Sequence, residues 1–188
     1  SGQAGAAGTI FLKTPSDLNG NLLIDGNNNF PYLMATEPPH GQNWTLDSIT
    51  LNRKGMLGIP SGALFSASTT SISSDGTGII INNGGTFTPA ADPFVISTYE
   101  YRHKSGTLNV NNITVASGGT FTQANMTTFS IPGNLLVQSG GIVTHLFHPG
   151  YLSSVKTYAL DLSVSGNLSI DAGGKIDANL KGFPSGQG

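Results

Sequence analysis

The chain has no cysteine among its 188 residues, which excludes disulfides, thiolate metal sites and thiol nucleophiles together. It is also poor in charge. Only 10% of its residues are Asp, Glu, Lys or Arg, where an ordinary soluble domain carries about 25%, so the surface must be built largely from Ser, Thr, Asn and Gly. Eight basic against ten acidic residues give a formal net charge of −2. That balance lacks the positive footprint that a nucleic-acid backbone or an anionic membrane attracts, so neither nucleic acid nor direct membrane insertion is expected. No apolar run approaches the roughly 18 residues of a membrane-spanning helix. Helical patterning is missing as well: no stretch of a dozen residues keeps a period of about 3.6 free of Gly, Pro and β-branched runs.

What the sequence does have is repetition. "GNLSIDAGGKIDA", residues 166 to 178, nearly copies "GNLLVQSGGIVTH", residues 133 to 145. Glycine doublets occur at Gly84-Gly85, Gly118-Gly119, Gly140-Gly141 and Gly173-Gly174, each after an apolar, any, apolar triplet. The triplets are Ile79 to Ile81, Ile113 to Val115, Leu135 to Val137 and Leu168 to Ile170. A degenerate copy, Ile49 to Leu51 followed by Gly55, and the half-copy "GNLLIDG" at Gly20 to Gly26 extend the series backwards. Alternation with period two marks a short strand, a glycine turn and a second strand. A unit this short cannot bury its apolar side alone, but stacked units can. The repeat therefore predicts an inward column of Leu57, Phe87, Phe121, Val143 and Ile176.

The spacing sets the architecture. Of the intervals that run from Gly55 through Gly85, Gly119 and Gly141 to Gly174, the one from Gly119 to Gly141 is the shortest, and the other three exceed it by a third to a half. The shortest suits a bare coil of a parallel β-helix, with the longer intervals carrying corner loops at 97 to 106 and 145 to 158. A third insert, 27 to 44, contains three prolines, which interrupt strands. The fold expected is all-β, a right-handed parallel β-helix with corner-loop insertions. A β-sandwich is the alternative, although antiparallel strands have no reason to repeat the same words. Residues 1 to 188 read as a single β-helix segment. Because the chain opens at Ser1 without Met, and its closing "SGQG" echoes its opening "SGQAG", we read it as a fragment of a larger repeat-containing protein.

The pattern Gly-Asn-Leu-x-[Ile/Val]-x-x-Gly-Gly-x-[Ile/Val] resembles the parallel β-helix stretches of large bacterial surface proteins, namely filamentous-haemagglutinin-like adhesins and autotransporter passengers. "GAAGTIFLKT", residues 5 to 14, is similar to glycine-rich segments of giant surface proteins. The resemblance implies an exported, extracellular or cell-surface shaft whose loops carry any binding. No functional residue of that family transfers to these positions.

Groups that could do chemistry are few and scattered. Acid–base work needs two groups converging, but Asp47, Asp75, Asp92, Glu100, Asp161, Asp171 and Asp177 show no pairing in sequence. His145 and His148 share a His-x-x-His spacing that does not converge two imidazoles on a metal outside a helix. "DGNNN", Asp25 to Asn29, opens like a calcium loop but has Phe30 and Thr36 where the glycine and final glutamate belong. No cofactor and no metal is expected. The densest functional group is "TYEYRHK", residues 98 to 104, in which Tyr99, Tyr101 and His103 would share one face of a strand. Together with Trp44 and Arg102 these are the candidate ligand-binding residues, aromatics for stacking on sugars and the arginine for an acidic group. The competing reading is that the tyrosines only pack the flank of the β-helix.

The expectation is a non-catalytic structural or adhesive module whose partners are a host-cell, matrix or glycan ligand and neighbouring domains of the same chain. Two alternatives stand beside it: a carbohydrate-active β-helix enzyme of lyase or hydrolase type, and a carbohydrate-binding module.

Overall fold

The computed structural model describes residues 8–28, 35–38, 42–147 and 156–182, and among them there is no helix. The chain forms a parallel β-solenoid. The first sheet contains β1 (Gly8–Leu12), β2 (Asn21–Asp25), β3 (Asn43–Asn52), β4 (Met56–Pro60), β5 (Leu64–Ser74) and β6 (Gly78–Thr88) from the N-terminal half. It continues through β8 (Tyr99–Leu108), β10 (Thr120–Gln123), β13 (Ile142–His145) and β16 (Lys175–Asp177). A second sheet stacks β7 (Phe94–Ile96), β9 (Ile113–Val115), β12 (Leu135–Val137) and β15 (Leu168–Ile170). A third face pairs β11 (Phe129–Ile131) with β14 (Leu162–Val164). Only the β1–β2 pairing is antiparallel among the described ladders, so β1 folds back over the N-terminal edge. Parallel pairing throughout the rest excludes the sandwich.

The register shows what the repeat builds. Leu57 pairs with Ile80, Ile80 with Tyr101, Tyr101 with Phe121, Phe121 with Val143, and Val143 with Ile176. The first five are buried and form the central inward column. Phe87 does not belong to this column, contrary to the sequence expectation. It pairs with Phe65 and Leu108 in a parallel row farther along the same strands. The reason is that Gly84-Gly85 is not a coil turn. It lies inside β6, where the ladder to β8 slips between Asn83 and Thr86. The residues stacked on the turn Gly118-Gly119 are Thr98-Tyr99, because Glu100 pairs with Thr120. Three coils therefore fill the stretch that the glycine doublets divide into two. Along the central column the steps from Leu57 to Ile80, Tyr101, Phe121 and Val143 are nearly equal in length, each close to the bare coil expected from Gly119 to Gly141. The last step, Val143 to Ile176, is half as long again, so the expected insert in the 145 to 158 region is present in length. Its residues 148–155 lie outside the described residues, as do 29–34 and 39–41 of the insert at 27 to 44.

Two chemical devices explain the repeated words. In the turns, Gly118, Gly140 and Gly173 have φ of +75°, +78° and +87°, a left-handed conformation that favours glycine. The second glycine of each doublet is there for room. A Cβ on Gly119 would run into the Ile96 carbonyl oxygen, and one on Gly141 into that of Val115. The Gly-Asn words build a spine. Asn134 N–H donates to Asn112 Oδ1 at 2.8 Å, and Asn167 N–H donates to Asn134 Oδ1 at 2.8 Å. Gly133 and Gly166 sit against those oxygens, where a Cβ would collide with them. Asp92 heads the spine, accepting the main-chain N–H groups of Asn111 and Asn112 at 3.0 and 2.8 Å.

Residues 97 to 106, expected to be a corner insert, are instead largely β8, a central strand of the first sheet. The long interval between glycine doublets suggested a loop, but alternation places Glu100 and Arg102 outside while Tyr99, Tyr101 and His103 point into the core.

Candidate functional site

Tyr99 and Tyr101 are 2% and 0% exposed. They share a face, as the spacing predicts, and that face is the interior. Neither ring is therefore available for stacking on a sugar from solvent, so the packing alternative describes them. Tyr99 donates its hydroxyl to Val95 O at 2.8 Å, and burial raises the pKa of both phenols far above the ordinary value.

Trp44 is half-buried and tilted against Phe65, with ring centroids 6.3 Å apart. From there a run of ring contacts passes through the core: Phe65 to Phe87, Phe87 to Tyr101, Tyr101 to Phe121 and Phe121 to Phe129. His103 ends the run, 4.5 Å from the Phe129 centroid. Of the proposed site residues, Trp44, Tyr101 and His103 are thus linked through the core rather than gathered on a surface. Arg102 lies on the outer face, and both arms of its guanidinium are held by Glu100, each at 2.9 Å. Asp25 is engaged similarly: Arg53 Nε donates to Asp25 Oδ1 at 2.8 Å, and the Asn27 N–H bonds the same oxygen at 2.8 Å. Asn29 lies outside the described residues, and among those described no three His, Asp or Glu side chains gather as a metal site.

A feature that sequence reasoning missed runs down one corner. Two residues beyond the central column, Asn82 pairs with His103, His103 with Gln123, and Gln123 with His145. All four polar side chains are buried. Three of them bond main-chain groups of the neighbouring strand or corner loops, as most buried polar groups do. Asn82 Nδ2 donates to Thr107 O at 3.0 Å. Gln123 Nε2 donates to Thr127 O at 2.7 Å, while its Oε1 accepts the Asp161 N–H at 2.7 Å. His145 Nδ1 bonds Leu146 O at 2.8 Å. The signal in sequence is a polar residue at one fixed offset after each inward apolar residue, legible only with the correct register.

Two enclosed atoms of this row have no partner among the described residues, Asn82 Oδ1 and His103 Nδ1, and burial lowers the pKa of the His103 ring to about 4. Beside it the stack parts. Thr107 and Leu108 pair back onto Thr86 and Phe87 of β6, whereas β11 in the next coil pairs forward onto β14. No ladder joins the outer limb of β8 to β11 among the described residues. The open groove left between them has a volume of about 370 Å³, with His103 and Phe129 on its lining and Lys104, Thr107, Thr127 and Ser130 among its polar groups.

Compared with known proteins, the chain matches no family model, no curated protein and no solved structure.

Proposed function

We propose that this chain is a non-catalytic structural and adhesive module of a bacterial cell-surface or secreted protein, a solenoid shaft segment that stacks end to end with neighbouring β-structure. One observation carries the reading. Leu135, Val137 and Val143 are 1%, 0% and 0% exposed, yet their partners in the last coil, Leu168, Ile170 and Ile176, are 49%, 45% and 41% exposed. Among the described residues, the same apolar columns that bury each coil against the next thus leave this layer uncovered. At the other end β1 offers Ile10, Phe11 and Leu12, which are 48%, 56% and 58% exposed. Uncovered strand edges invite pairing with another chain or segment, and a further coil continues the pattern already repeated inside the molecule. Adhesion would then fall to the corners, where the coils differ from one another.

The test is a tandem of two chain lengths. If the ends stack, the tandem unfolds at a higher temperature than the single chain and as one transition. Two independent transitions at the single-chain temperature would reduce the shaft to separate beads and overturn the reading.

A further inference from the structure

The seam beside His103 is concave, and its volume of about 370 Å³ falls in the range of small-molecule sites, roughly 300–1,000 Å³. The floor is apolar on one side, where the buried Phe129 ring holds His103 in place. The lips are hydroxylated: Thr107, Thr127 and Ser130 are exposed and face the groove. Each hydroxyl can both donate and accept.

His103 adds a second and different observation. The imidazole is buried on the lining of the groove; its Nδ1 is enclosed, which leaves Nε2, bonded by no protein group among the described residues, as the nitrogen a ligand can meet. A neutral imidazole presents one N–H donor and one lone-pair acceptor. Alcohol groups, each donor and acceptor at once, complement it. Water is the other molecule with that character, so the choice between them rests on the rest of the lining.

Charge narrows the ligand. Lys104 is exposed at the mouth, and among the described residues no carboxylate lines the groove. One cation beside a neutral imidazole suits a single negative charge. A phosphate, with nearly two charges and three strong acceptor oxygens, calls for a richer set of cations than this.

We propose that this groove binds an acidic sugar, its ring hydroxyls bonding the His103 imidazole and the Thr127 and Ser130 hydroxyls while its carboxylate meets the Lys104 ammonium. The site goes beyond the shaft reading and does not depend on it, since the groove lies in the middle of the stack rather than at an end.

The experiment is NMR titration of the intact chain with glucuronic, galacturonic, mannuronic, iduronic and N-acetylneuraminic acids, beside glucose, galactose and mannose. At least one acid should shift the resonances of His103, Thr127 and Ser130 saturably, and its neutral counterpart should bind about fivefold more weakly, the scale of one solvent-exposed charge pair. Lys104→Gln should weaken the acid by the same factor and leave the neutral sugar unchanged. Thr127→Ile, an exposed position that keeps the fold, should block both. If no sugar acid gives a saturable shift, or if Lys104→Gln and Thr127→Ile bind it as well as the parent does, the groove holds water and the proposal is wrong. Stacking of the tandem is read separately by its melting temperature, so either idea can fail alone.

Discussion

Thr98 stacks on Gly118 and shares its left-handed backbone, with φ of +59° against +75°. A β-branched side chain in that region is strained, by roughly 1–2 kcal/mol for a residue bearing a Cβ. Thr98→Gly should therefore stabilise the chain, by about 1 kcal/mol once the greater freedom of glycine in the unfolded state is offset. Urea unfolding with an unchanged slope would measure it. A loss of stability would mean that the Thr98 Oγ1 bond to Ser97 O outweighs the backbone strain. Gly119→Ala should act in the opposite direction and more strongly, because its Cβ would collide with the Ile96 carbonyl oxygen.

That same pair explains how far the sequence could be read. The β-solenoid was legible because Gly118-Gly119, Gly140-Gly141 and Gly173-Gly174 share one steric need, and identical needs select identical residues. The coil through β8 was hidden because Thr98-Tyr99 replaces the doublet, tolerating the left-handed backbone without its usual residue. Gly84-Gly85 then served as a false marker, since a bulge inside β6 also uses glycine. The candidate site shifted for a related reason. Period two fixed that Tyr99, Tyr101 and His103 share a face, but period alone does not say which face is buried. That depends on the neighbouring coils, and the neighbours depend on the register. The corner groove beside His103 arises from strands a full coil apart in sequence changing partners, for which no local signal exists.

The Asn spine offers a local test. Asn134 Oδ1 accepts the Asn167 N–H at 2.8 Å, so Asn134→Ala should cost about 1 kcal/mol, the typical net worth of one such bond. Asn134→Asp keeps the acceptor and should cost less. Hydrogen exchange gives the sharper readout: the Asn167 amide should exchange faster in Asn134→Ala and near its parent rate in Asn134→Asp. Equal exchange in all three proteins would show that the spine bond does not protect that turn.

Burial along the central column can be checked by paired truncations. Phe121 is 1% exposed between Tyr101 and Val143, so Phe121→Ala should cost about 3–5 kcal/mol through lost transfer energy and the cavity left behind. Thr120 faces outward on the same strand, and Thr120→Ala should cost well under about 1 kcal/mol. Phe87→Ala should resemble Phe121→Ala although it lies in a different row, because it too is fully buried. Equal melting shifts for the Phe121 and Thr120 variants would contradict the register.

His103 predicts how stability depends on pH. In the unfolded chain its imidazole takes a proton near its ordinary value of 6.5, whereas in the folded chain burial lowers that to about 4. Above pH 6.5 the ring is neutral in both states, and its contribution to folding is fully present. As the pH falls from 6.5 towards 4 the unfolded state binds a proton that the folded state refuses, so stability declines over that window. The loss should reach at most about 3 kcal/mol at its lower end. Asp25 and Asp75, whose folded values are lowered chiefly by hydrogen bonds from Arg53 and Thr77, lose their stabilisation only below that window. His103→Gln removes the titrating ring while keeping a polar side chain of similar length, so it should flatten the slope between pH 4 and 6.5 and leave the steeper fall below it intact. Chemical unfolding measured at intervals of half a pH unit separates the two regimes. An unchanged slope in His103→Gln would mean that the ring is hydrated in the folded state and titrates as it does in the unfolded chain.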